Sequence, residues 1–124
     1  MANQRNQKIV IIATHGPEHP ERATLPFAMG TAALVMEADA VVILQSTGVL
    51  LAKKGCYEHI IAPGLAPLKE LIEVFIKQGG QILVCAPCLH EREITKDMLI
   101  DAAELVGAGR AVEEALSASA VLNY

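Results

Sequence analysis

The chain has no tryptophan, and only two phenylalanines and two tyrosines among its 124 residues. Its core must therefore be built from Ile, Leu, Val, Ala and Met. Lysines and arginines nowhere cluster, and the net charge is −4. That balance excludes a dedicated nucleic-acid binder, which needs a basic face to neutralise phosphates. No apolar run approaches the roughly 20 residues that span a bilayer. The longest, residues 40–44 and then 49–52, is broken by Gln45-Ser46-Thr47-Gly48. The polar opening, residues 1–8, lacks the apolar stretch of a signal peptide. A cytoplasmic protein with no membrane partner is expected. Apolar residues make up 52% and charged residues 19%, which excludes a disordered chain. The length suits one domain over 1–124, with a flexible start at 1–7.

Apolar segments alternate between two periods. Residues 8–14 form an unbroken β-branched run, as in a strand covered on both faces, and 40–44 form a second. Gln81-Ile82-Leu83-Val84 gives a third strand ending at Cys85, Glu104-Leu105-Val106 a fourth and residues 120–124 a fifth. Between them lie helical patterns. Leu25, Met29, Ala32, Ala33 and Met36 mark the first, with Pro26 placed near its first turn. Leu68, Leu71, Ile72, Phe75 and Ile76 mark the next, opened by Pro67 and stopped by Gly79-Gly80. Short helical pieces are expected around 89–93 and 95–101, with Thr95 as an N-cap. A last helix carries Val112, Ala115 and Leu116 after the tight turn Gly107-Ala108-Gly109. Alternation of this kind predicts a three-layer α/β/α fold with a mostly parallel five-stranded sheet, Rossmann-like or flavodoxin-like.

The cysteines carry the chemistry. In a cytoplasmic protein three of them point to catalysis, redox work or metal binding rather than structural disulfides. Cys85-Ala86-Pro87-Cys88 follows the third strand, and Pro87 fits the first turn of a helix, where backbone N–H groups and the dipole favour a thiolate. In a parallel sheet chemistry gathers at the carboxyl ends of the strands. His15-Gly16 and Thr47-Gly48, at the ends of the first two strands, should therefore wall the thiol site, with His15 a candidate acid/base or thiolate partner. Cys88 is the candidate nucleophile and Cys85 a neighbour that is either core packing or its resolving thiol. Arg92 is placed to hold an anionic sulfur group. Cys56 follows two lysines that favour its thiolate but has no identifiable partner. His19 and His59 are read as surface residues. Cys85, Cys88, His90 and His15 could be offered to zinc, yet structural zinc sites draw on two separated ligand pairs and only one is present, so no metal or other cofactor is expected.

Gly16-Pro17-Glu18, residues 21–27, residues 48–52, Val84-Cys85-Ala86-Pro87-Cys88 with Arg92 and Ile94, and the closing 120–124 together resemble the DsrE/DsrF-like family of small sulfur-relay proteins. The resemblance runs from Lys8 onward. It implies a Rossmann-like domain that assembles into homo-oligomers, often trimers or hexamers. It also implies a cysteine that carries sulfane sulfur between donor and acceptor proteins or small sulfane-sulfur compounds. One branch places that cysteine directly after the third strand, as Cys85, and others three residues later, as Cys88. Both positions are filled here, which leaves either thiol as the carrier and adds a disulfide option. Two other functions compete: a non-catalytic oligomeric binding or scaffold module, and thiol–disulfide exchange through Cys85 and Cys88. The apolar stretch 49–52 is expected on the surface, forming a subunit interface beside the cysteine edge.

Overall fold

The computed structural model describes residues 7–124. The flexible segment expected at 1–7 lies outside the described residues except for Gln7, whose carbonyl accepts the Asp39 N–H at 2.9 Å. Five strands, β1 (Lys8–Ala13), β2 (Asp39–Leu44), β3 (Gln81–Cys85), β4 (Ala103–Val106) and β5 (Ala120–Asn123), form one sheet in the order β4-β3-β2-β1-β5. Every pairing is parallel. Four α-helices connect them: α1 (Pro20–Val35), α2 (Leu68–Lys77), α3 (Ala86–Glu91) and α4 (Ala108–Leu116). The chain steps from β1 through β4 in one direction and then returns to the far side of β1. That return puts the Rossmann-like reversal between β1 and β5, where Tyr124 O accepts both the Thr14 N–H at 2.9 Å and the Thr14 hydroxyl at 2.8 Å.

Successive side chains of a strand point to opposite faces. One face carries Ile11, Ala13, Val42, Leu44, Ile82 and Val84, packed under Phe27 of α1, Leu68, Ile72 and Phe75 of α2, and Leu89 of α3. The other carries Val10, Val41, Ile43, Leu83 and Val106, packed with Ala111 of α4 and Ala118. The last helix does carry Val112, Ala115 and Leu116, as α4. Val112 is 56% and Leu116 82% exposed, because the small Ala111 is what fits the sheet.

Two expectations are corrected. Helix α1 begins five residues before Leu25, at Pro20, because His19 Nδ1 accepts the Arg22 N–H at 3.3 Å and Pro20 occupies the opening position. Pro26 consequently sits inside the helix, where it has no N–H to give the Arg22 carbonyl. The stretch 49–52 is not a surface interface. It belongs to a 3-10 helix, Ser46–Ala52, that folds back on the subunit and buries Val49, Leu51 and Ala52 completely. Burial within the chain removes the apolar surface that was to be covered by a second copy.

On the α4 face, Lys8 Nζ donates to Glu114 Oε1 and Arg110 Nε to Glu114 Oε2, both at 2.8 Å. The Lys8 hydrogen bond, then that of Arg110, holds the Glu114 carboxyl below the usual carboxylate range against the opposing effect of burial. A depressed carboxylate contributes stability that is complete above its unfolded value, about 4.3, and is lost as pH falls through the folded one. Glu114→Gln should therefore cost about 1 kcal/mol at pH 7 in urea titrations. The gap from wild type should close below about pH 4; a gap constant with pH would refute the charge assignment.

Candidate functional site

Three loops meet at the carboxyl edge of the sheet, as the strand ends require: 14–18 after β1, the 3-10 helix Ser46–Ala52 after β2, and Cys85 with α3 after β3. The first two interlock. A Cβ on Gly16 would lie 2.4 Å from Thr47 O, and one on Gly48 would lie 2.2 Å from Ala13 O. Both glycines expected to wall the site thus allow backbone to touch backbone. Thr47 closes the gap through its hydroxyl, which donates to Glu18 Oε2 at 2.7 Å and lies 3.3 Å from Thr14 O.

Cys85 is the N-cap of α3 and Cys88 lies in its first turn, one residue after Pro87. All three cysteines are free thiols and half-buried. Burial pushes the Cys85 thiol above the ordinary range and the neighbouring Cys88 thiol pushes it further, while the Cys88 backbone N–H and, more weakly, Arg92 oppose. The helix-start N–H is thus present at Cys85 but is outweighed by burial. Cys85 also borders a small apolar cavity of about 100 Å³ on the α4 face, with Ile43, Val106 and Ala108. Cys88 faces different surroundings: its Sγ accepts the Ser46 N–H at 3.3 Å. A larger cleft of about 350 Å³, between α3 and β4, is lined by Leu89, Ile94 and Leu105 and includes neither thiol.

The other candidates divide. Arg92 donates to Cys88 O at 3.1 Å, so its guanidinium ties down the end of α3 next to the thiols. The ring of His15 pairs with Thr14 Oγ1 at 3.3 Å and with the His19 ring, edge-on at 5.4 Å, and neither contact is to a cysteine. His19 and His59 are exposed. For Cys56, burial outweighs Lys53 and the thiol is raised, not lowered as the adjacent lysines suggested. Among the described residues no three His, Cys, Asp or Glu side chains could hold a metal. No helix among them is long and apolar enough to cross a membrane.

One residue escaped the sequence reading. Glu18 accepts the Gly16 N–H with both carboxylate oxygens at 3.0 Å as well as the Thr47 hydroxyl. Burial raises its carboxyl, but the hydrogen bonds from Thr47 and Gly16 outweigh it and hold Glu18 below the usual range. In the sequence Glu18 stands only as part of the Gly16-Pro17-Glu18 resemblance, an acid two residues after a glycine in a loop.

A parallel α/β sheet with a cysteine at the end of its third strand defines a class, and residues 7–124 match the model of the DsrE/DsrF-like family. The chain belongs to that family. It is 30% identical over 97 residues to the uncharacterized protein MK0008 of Methanopyrus kandleri, covering 78% of this chain and 77% of the relative. With the uncharacterized protein MJ0989 of Methanocaldococcus jannaschii it shares 31% over 98 residues, covering 79% and 82%. Its match to MJ0760 of the same organism, 30% identical over 101 residues, covers 82% of this chain but 37% of that longer protein. Among solved structures, ychN protein from E. coli superposes with a TM-score of 0.73 at 25% identity, covering 95% of this chain and 99% of that one. MTH1491 from Methanobacterium thermoautotrophicum, a protein of unknown function, has the same fold with a TM-score of 0.76 at 15% identity and the same coverage.

Proposed function

We propose that this protein is a sulfur carrier that holds sulfane sulfur on Cys88. The observation that carries the reading is the Ser46 N–H pointed at the Cys88 sulfur at 3.3 Å. Membership of the DsrE/DsrF-like family supplies the substrate class. A backbone donor that needs no reorganisation stabilises negative charge on the attacking sulfur, and later on the persulfide. With thiosulfate as donor, the Cys88 thiolate attacks the outer sulfur, the S–S bond breaks, and sulfite leaves with the electron pair. The sulfur stays on Cys88 as a persulfide anion until an acceptor thiolate attacks it. Burial, then the Cys88 thiol, push the Cys85 thiol upward, which makes it the weaker competitor for the donor. A homo-oligomer would have to use surface other than 49–52, such as the exposed Val35, Val112 and Leu116.

The expected result is an added mass of about 32 Da per chain after incubation with thiosulfate or a persulfide donor, removed by reductant. Cys88→Ser should abolish it and Cys85→Ser should keep it. No adduct from several donors would overturn the reading and favour a binding or scaffold module. Thiol–disulfide exchange is a second reading, favoured by the effect the Cys88 thiol exerts on Cys85. It predicts loss of about 2 Da under mild oxidant and a measurable reduction potential.

A further inference from the structure

We propose that Glu18 is a positioning residue for Cys88, acting through the Thr47 hydroxyl and the Ser46 peptide. The proposal deepens the sulfur-carrier reading and rests on it for its purpose, but the geometry stands alone. Ser46 has a φ of 53°, in the left-handed region that a side chain enters only where its surroundings hold it. That conformation directs its N–H at the Cys88 sulfur. The Ser46 N–H belongs to the same planar peptide as the Gln45 carbonyl, which accepts the Gly48 N–H at 2.8 Å, so the turn fixes that peptide within itself but not the placement of the turn against α3.

The next residue ties the turn to the neighbouring loop. Thr47 gives its hydroxyl to the Glu18 carboxylate at 2.7 Å, and the same carboxylate grips the Gly16 N–H. Glu18 therefore ties the loop after β1 to the loop after β2, while Cys88 comes from the element after β3. Without the carboxylate, Thr47 Oγ1 has only its longer contact to Thr14 O at 3.3 Å. The turn as a whole then shifts against the loop after β1, and the Ser46 N–H moves off the sulfur. Cys88 loses the donor that stabilises its negative charge and becomes a slower nucleophile.

The sign of the effect separates positioning from simple support. A loosened loop that merely uncovers Cys88 would speed its alkylation, whereas loss of the aimed N–H slows it. The test is peptide-resolved iodoacetamide labelling of the whole chain at pH 7, with Cys56 as internal reference and thermal unfolding followed alongside. Glu18→Ala should slow Cys88 relative to Cys56 by about tenfold, the size of one hydrogen bond to a charged group. Thr47→Val should slow it about equally. The double variant should be no slower than either alone, because both changes cut one chain of contacts. Glu18→Gln keeps the shape and one acceptor oxygen; it should show a smaller slowing, and it decides the matter if Glu18→Ala fails to fold. An unchanged or faster Cys88, or effects that multiply, overturns the proposal. If wild type takes up no sulfur while Cys88 slows as stated, the carrier reading falls and the positioning role of Glu18 stands.

Discussion

Phe75→Ala should lower stability by about 4 kcal/mol, within the range for emptying a buried aromatic site. Phe75 is fully buried under the sheet and meets Phe27 edge-to-face, with ring centroids 5.5 Å apart and planes at 86°. Its ring also excludes side chains at two other positions. A Cβ on Gly30 would come within 2.7 Å of it and one on Gly80 within 2.4 Å. Two glycines, one in α1 and one before β3, thus fit around this single ring. They cannot expand to refill its space. Domains of this kind are stable by about 5–15 kcal/mol, so the variant should be partly unfolded at modest urea. A cost below about 2 kcal/mol would mean that the site collapses and that the glycines are not locked to the ring.

Gly48→Ala should be almost as damaging, at about 3 kcal/mol, for the opposite reason. Here an added methyl has nowhere to go: it would lie 2.2 Å from Ala13 O and 2.9 Å from Ala13 C, and both are backbone atoms of β1, a strand paired on both sides. A side chain can rotate away, but a strand carbonyl held between β2 and β5 cannot. The 3-10 helix would have to lift off the strand end, taking Val49 and Leu51 partly out of the core. Gly109→Ala is the control. No atom lies within 4 Å of its would-be Cβ and it sits in the first turn of α4, so it should leave stability unchanged or raise it by about 0.5 kcal/mol. Urea midpoints of the two variants measure both, and equal midpoints would contradict the backbone contact.

The strands were legible in the sequence because a parallel sheet covered on both faces leaves unbroken β-branched runs such as 8–13 and 40–44. The cysteine edge was legible too, since strand ends alone bring Cys88 to Ser46 and Gly16 to Thr47. What escaped has local causes. Pro20 looks like a loop breaker but opens α1, because His19 supplies the capping nitrogen. The Ser46–Ala52 stretch is too short to show a helical period, and its burial depends on the approach at Gly48, a tertiary contact with no local mark. On α4 the residues that mark the helix, Val112 and Leu116, stay exposed, and Ala111 is what packs on the sheet. Glu18 is an exposed acid in a polar loop, and only the fold reveals that three hydrogen bonds converge on it.

The place of β5 bears on how the chain folds. Lys8 and Ser119 are 111 residues apart in sequence, yet the Lys8 N–H donates to Ser119 Oγ and the Ser119 N–H to Lys8 O at 2.8 Å. Closing so long a loop is slow, and parallel pairings of high contact order wait until the rest of the sheet is in place. Until then one side of β1 is an open edge of Ile9, Val10, Ile11 and Ile12, with nothing charged between them. On an emerging polypeptide that edge is the segment most exposed to pairing with another chain. Crowded translation should therefore favour aggregation through β1, and the arrival of β5 is the step that ends the risk.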